Sequence, residues 1–206
     1  MGEISSFFLR GLVIGFSIAA PVGPIGILCI RRTLAEGRIA GFVSGLGAAS
    51  ADAIYGCIAG FGLTFISSFL ISHQAWLRLI GGAFLCYLGV RTFLARPAKP
   101  AASDTEYRLA GNYFSTFALT LTNPLTILSF AVIFAGLGLA DTGGNYVTAV
   151  ILVLGVFCGS ALWWLLLSSG VSLFRAKFST NGLLWVNRCA GALITVFGLF
   201  ALLSLK

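Results

Sequence analysis

Apolar residues along this chain come in long blocks rather than short runs. Six blocks span approximately residues 6–31, 39–66, 75–94, 112–138, 146–170 and 184–204. Each approaches or exceeds the roughly 20 residues that an α-helix needs to cross a bilayer. The pattern predicts an all-α integral membrane protein with six transmembrane helices. The one substantial polar stretch, ARPAKPAASDTEYRLAG at residues 95–111, is rich in Pro, Ala and charge and reads as a linker. It separates a first three-helix repeat, residues 1–94, from a second, residues 112–206. An odd number of spans per half means that the halves enter the membrane from opposite sides.

The halves share a short pattern. PIGILCI begins at Pro24 and PLTILSF at Pro124; GAASADAIY begins at Gly47 and GVFCGSALWW at Gly155, which sets Asp52 opposite Ser160. This has the form of an inverted repeat, and transporters built so hold substrate near the midplane on discontinuous helices.

Composition agrees. The chain is 58% hydrophobic and 9% charged over 206 residues, with a mean hydropathy of +1.00, whereas soluble domains carry roughly 25% charged residues. No polar stretch is long enough to build a large soluble domain. The net charge of +7 does not imply nucleic acid, because its distribution follows the spans. Arg31, Arg32, Arg38, Arg91, Arg96, Lys99, Arg108, Arg175, Lys177 and Arg188 fall on one side, and Arg10, Arg78 and Lys206 on the other. The positive-inside bias makes the first side cytoplasmic and both termini extracytoplasmic. These cations orient the chain and meet lipid headgroups. Trp76, Tyr146, Tyr113 and Trp185 stand at predicted interfaces, where such rings prefer to lie. Glu3 is the first charge, so the first block lacks the basic start of a signal peptide and reads as a retained span.

The five cysteines (Cys29, Cys57, Cys86, Cys158 and Cys189) and the lone His73 form no CxxC or ligand spacing. Neither a metal site nor a cofactor is expected from them. The glycines Gly37, Gly41 and Gly45, and the pair Gly155 and Gly159, have the small-residue spacing of close helix packing. That spacing is compatible with a homodimer and does not by itself specify one.

Candidate chemistry centres on Asp52, about 13 residues or ~20 Å into the second block at ~1.5 Å per residue. A carboxyl at that depth costs roughly 2.5–3.5 kcal/mol on insertion scales and by default marks a functional site. A structural alternative is a buried carboxyl bonded to Ser50 or to free carbonyls. Pro21 and Pro24 withhold donors from the carbonyls near Ser17 and Ala20, and Gly23 permits unusual backbone. The first helix should therefore unwind near mid-depth and expose polar backbone. Asn123-Pro124 repeats the device in the fourth block, so helices 1 and 4 are both expected to be broken at proline. Helix ends carry partial charges of both signs, which suits a zwitterion. Trp163 and Trp164 could wall such a site, although core packing is their commoner use.

With these residues in view, the chain resembles the LysE/RhtB family of amino-acid exporters. The resemblance rests on PVGPIGILCIRRTLAEGRIAGFVSGLGAASADAIYG at 21–56, LRLIGGAFLCYLGVRTF at 77–93 and TNPLTILSF at 122–130. It implies a six-helix inverted-repeat translocator of the bacterial inner membrane that exports amino acids or related small metabolites. It carries over Pro21, Gly23, Pro24, Asp52, Asn123 and Pro124 as substrate-binding positions. Asp52 is also the candidate proton carrier, so protons and a small zwitterion are the expected partners. Leu125 stands where many relatives carry a lysine; lysine as substrate therefore does not follow from the family. Three other readings compete: a thiol–disulfide carrier of the DsbD/CcdA type, a metal-ion exporter of the same superfamily, and a non-transporting scaffold.

Overall fold

A computed structural model describes residues 2–21, 23–61, 69, 72–95, 105–123, 126–130, 146–176 and 179–204. The described residues are helical, without strands. Seven helices are bounded: α1 (Gly2–Ala19), α2 (Pro24–Glu36), α3 (Arg38–Gly60), α4 (Gln74–Leu94), α5 (Thr105–Leu121), α6 (Tyr146–Arg175) and α7 (Thr180–Leu203). A further short helical stretch covers 126–130. The helices α3, α4, α6 and α7 are each long and apolar enough to cross a membrane, and α1 with α2 makes a fifth candidate if the bent pair is one span. The fourth predicted block is represented by α5 and 126–130; Pro124 and residues 131–138 lie outside the described residues.

The first break is sharper than local unwinding. Pro21 and Pro24 have no N–H for the carbonyls one turn back, so α1 stops at Ala19. Pro24 then opens α2, where a fixed φ suits the first helical position. The two helices are bent by 82°. The first apolar block is therefore two helices at nearly a right angle, which block length could not distinguish from one interrupted span. At the far end Gly37, with φ +110°, separates α2 from α3. Only glycine adopts that backbone readily, so Gly37 is a corner and not the packing position expected of it. The predicted linker is also shorter than its composition suggested, because residues 105–111 already belong to α5.

Packing fixes the relative directions of the helices. Gly11 and Gly15 of α1 lie against the backbone of Leu152 and Val156 in α6. In return, Gly155 lies against Phe8 and Leu12, and Gly159 against Leu12 and Phe16. Both registers rise together, so α1 and α6 are parallel. Helices α4 and α7 are antiparallel, with Gly82 against Gly198 and Gly89 against Gly191 and Thr195. Helices α3 and α6 are antiparallel too, Gly45 meeting Trp164 and Gly60 meeting Leu152. Helix α5 runs parallel to α3, its Tyr113 and Phe117 backbone seated on Gly47 and its Leu121 carbonyl on Tyr55. Small residues matter here because apolar lipid gives helices no hydrophobic reason to associate, and close contact must supply the attraction.

This packing sets a stability expectation. A methyl group on Gly15 or Gly159 would run into the backbone of the facing helix, whereas Gly170 has open space. Gly15→Ala and Gly159→Ala should each lose about 1–3 kcal/mol in unfolding titrations of detergent-purified protein. Gly170→Ala should be neutral or raise stability by up to about 1 kcal/mol.

Candidate functional site

Asp52 lies near the middle of α3 and is 3% exposed. The Ser160 hydroxyl of α6 donates to its Oδ2 at 2.7 Å, and the Trp164 indole Nε1–H donates to the same Ser160 Oγ at 3.2 Å. The serine is thus held from one side while it serves the carboxyl on the other. An unpartnered carboxyl there would be costly; one bonded from a facing helix also pins α3 to α6. Ser50 is not the partner: it donates to Leu46 O at 2.9 Å and accepts from the Tyr113 hydroxyl at 2.8 Å. Trp164 is buried and belongs to this chain of bonds, while Trp163 packs edge-on against Phe16.

The two interruptions flank Asp52 along α3. One turn before it, Ala48 and Ala49 pack with Ala19 and Ile25, which bracket the first break. On the other side, Tyr55 packs with Ile127 and Phe130, beyond the second break. The Tyr55 hydroxyl also donates to the carbonyl of Leu121, the last residue of α5. Carbonyls of a final turn have no partner in their own helix, and this one is satisfied from α3. The interruptions restart alike. Gly23 O accepts from Ile27 N at 3.0 Å and Asn123 O accepts from Ile127 N at 3.2 Å.

Of the residues picked from sequence, Asp52 is buried, Gly23, Pro24 and Asn123 are partly buried, and Pro21 is exposed. Pro124 lies outside the described residues. Among the described residues, the hydrogen bond to Asp52 comes from Ser160. The breaks surround the carboxyl through intervening apolar side chains. All five cysteines are free thiols, Cys29 buried in α2 and Cys158 exposed on α6.

A second polar cluster gathers at the C-terminal end of α2. Arg31 Nε donates to Asn187 Oδ1 at 2.9 Å, and Asn187 Nδ2 to Ala95 O at 3.0 Å. Glu36 receives Arg31 and Arg108, each at 3.3 Å, and Asn112 Nδ2 at 2.9 Å. Arg175 Nε donates to Leu34 O at 3.1 Å. Arg32 is buried among Ser44, Asn112, Ser115 and Thr116. Sequence reasoning treated Arg31 and Arg32 only as orienting charges. Cations near the end of a span usually reach out to headgroups, and no local pattern signals the exception.

A helical membrane protein with an interrupted leading helix and a carboxyl buried at a helix crossing belongs among membrane translocators by architecture. The comparison of sequences makes the assignment specific. Residues 16–205 match the LysE type translocator family, and the chain belongs to it. It is a translocator and not an enzyme. The chain is 29% identical over 200 residues to the Bacillus subtilis protein named "Putative amino acid efflux protein YcgF", covering 95% of this chain and 94% of that one. It is 29% identical over 175 residues to the Escherichia coli membrane protein YahN, covering 82% and 77%. The Synechocystis membrane protein slr1627 is 25% identical over 197 residues, covering 91% of each. No solved structure matches the chain.

The Ser160–Asp52 bond should be visible in stability. Ser160→Ala leaves the carboxyl without that donor and should cost about 1–3 kcal/mol. Asp52→Asn keeps an oxygen to accept the hydroxyl and should cost less. A double-mutant cycle of Asp52→Ala with Ser160→Ala should give a coupling of about 0.5–3 kcal/mol; additive losses would mean that the bond carries nothing.

Proposed function

We propose that this chain is a proton-coupled secondary transporter that exports an amino acid or related small zwitterion from the bacterial cytoplasm. One observation carries the reading: a buried carboxyl sits where α3 crosses α6, with a helix interruption on either side of it. The family membership and the efflux name of the Bacillus relative support the transport class.

The arrangement also favours six spans in two inverted halves. In the pairing of the halves, Asp52 and Ser160 are counterparts. Antiparallel helices exchanged by a two-fold axis bring counterparts into contact only where the axis passes. The bond between this pair therefore supports an axis at that crossing. Further support comes from the matching restarts at Gly23 and Asn123. The packing of α1 on α6 is likewise matched by that of α5 on α3. On this reading α2 and 126–130 are the second halves of broken helices 1 and 4. The Arg-rich end of α2 is cytoplasmic and the termini are outside.

In the proposed cycle, the substrate reaches the crossing from the cytoplasmic side with Asp52 ionised. The ammonium group pairs with Asp52 or with carbonyls near Pro21, and the carboxylate with amides at the restarts or with Asn123. Rearrangement opens the outer side, the substrate leaves and a proton takes its place on Asp52. Each proton returning down the membrane potential supplies ~2.3 kcal/mol per 100 mV. Ser160 holds the carboxyl in either protonation state, since a hydroxyl can donate to a carboxylate or accept from an acid.

The test is efflux of radiolabelled amino acids from proteoliposomes, with and without a pH gradient. Wild-type efflux of at least one substrate should rise when the outside is acidified. Asp52→Asn, folded and inserted normally, should lose that dependence and at least ~10-fold of the coupled rate, a scale set by the tenfold per 1.4 kcal/mol relation. Wild-type rates with full gradient dependence in the variant would remove Asp52 from the mechanism.

A further inference from the structure

Among the described residues, Arg32 is a buried cation without a salt bridge. It is 5% exposed. Glu36 lies one turn away on the same helix but is taken by Arg31, Arg108 and Asn112. At longer range the Glu36 carboxylate and the guanidiniums of Arg31 and Arg91 act on it with opposite sign. A buried charge whose hydrogen bonds all go to neutral acceptors is expensive, and an anion at its open edge would relieve that cost.

The guanidinium is bound unevenly. Its Nη1 donates to Ser44 Oγ at 3.0 Å, Asn112 O at 2.9 Å and Thr116 Oγ1 at 2.8 Å. That end is anchored to α3 and α5. The opposite edge is nearly unused: Nη2 donates to Ser115 Oγ at 2.8 Å, and the buried Nε has no partner among the described residues. The parallel N–H groups of Nε and Nη2 form the side of arginine that matches the two oxygens of a carboxylate, a bidentate pairing stronger than neutral hydrogen bonds. The anchored end fixes the group and the vacant edge presents it.

We infer that the Nε/Nη2 edge of Arg32 is a carboxylate-recognition site for the exported zwitterion, occupied before the substrate reaches Asp52. This rests on the transport reading above and adds a residue that the midplane constellation does not contain. The two sites are separate. Ser44 touches Arg32, and Asp52 follows eight residues later on α3, which is ~12 Å along the axis. That exceeds the reach of one amino acid's backbone groups, so the sites act in sequence. Ser115 stands in for one carboxylate oxygen in the present arrangement. Its own proton goes to Gly111 O at 2.6 Å, which leaves a lone pair for Nη2. The edge faces α5 through Ser115, so uncovering it means parting Arg32 Nη2 from that hydroxyl.

The experiment compares acids with their amides, leucine with leucinamide first and then a panel of such pairs. Efflux from vesicles loaded with either compound gives KM for each. Thermal unfolding of the detergent-purified full chain with either compound reports binding without transport. Arg32→Gln should raise KM for the acid ~10- to 100-fold, the worth of a charge-assisted pair, and leave the amide within twofold. Arg32→Lys, which keeps charge and loses the fork, should fall between. Ser115→Ala frees Nη2 and should lower KM for the acid by ~2- to 5-fold without affecting the amide; it decides the matter if Arg32→Gln does not fold. Equal changes for acid and amide, or none, overturn the proposal. If the wild-type chain carries no member of the panel, the transport reading fails, and Arg32 is judged on thermal unfolding alone. There, stabilisation by acid but not amide that Arg32→Gln abolishes supports it, and its absence overturns it. A parallel set in phosphatidylcholine vesicles with and without phosphatidylglycerol separates substrate from lipid. If Arg32→Gln alters only the response to phosphatidylglycerol, the edge serves a lipid phosphate and the proposal falls.

Discussion

Within hydrocarbon a polar group has no water to fall back on, and this constraint governs where the chain can be irregular. Each departure from regular helix must find its partner inside the protein. The acid on α3 takes a hydroxyl from α6, and that hydroxyl is steadied by an indole one turn further on. The last carbonyl of α5 takes the Tyr55 hydroxyl from α3. Both arrangements use α3, which therefore serves as the common support for the carboxyl and for the second interruption. Polar groups and broken backbone collect around one helix because each can satisfy the other there and nowhere in lipid.

The same economy explains the two ends of α2. Its beginning is dictated covalently, by prolines that have no hydrogen to give, and its end by a glycine backbone that other residues rarely adopt. Between them the helix packs on α3 and is tied by side-chain bonds to α3, α5, α6 and α7. Side-chain bonds can be exchanged without unfolding anything. In a transporter this is the kind of element expected to differ between access states.

Much of this could be read from the chain alone, and the remainder could not for definite reasons. Block length located α3, α4, α6 and α7 closely, because a helix that spans lipid must be apolar for a fixed distance. Asp52 stood out because it was the one acid deep within a block; its partner did not, since Ser50 is near in sequence and Ser160 comes from a facing helix. The right angle between α1 and α2 was hidden: apolar composition records burial in lipid or protein, not direction. Residues 105–111 read as linker because their charges obscured a helix that begins outside the apolar block. Arg32 was hidden most completely. Its environment is made by Ser44, Ser115 and Thr116, remote in sequence and individually unremarkable, and a lone arginine near the end of a span ordinarily reaches for water.

The seam between α1 and α6 has a mechanical consequence. Notches at Gly11 and Gly15 receive one backbone, and notches at Gly155 and Gly159 receive the other. Sliding by a single residue would drive Leu12 or Val156 into a gap that has no room for a side chain. The next acceptable setting is a full four residues away, or ~6 Å at ~1.5 Å per residue. Two rods keyed in this way behave as a single beam, so whatever rocks during a transport cycle must pivot around that beam rather than shear along it.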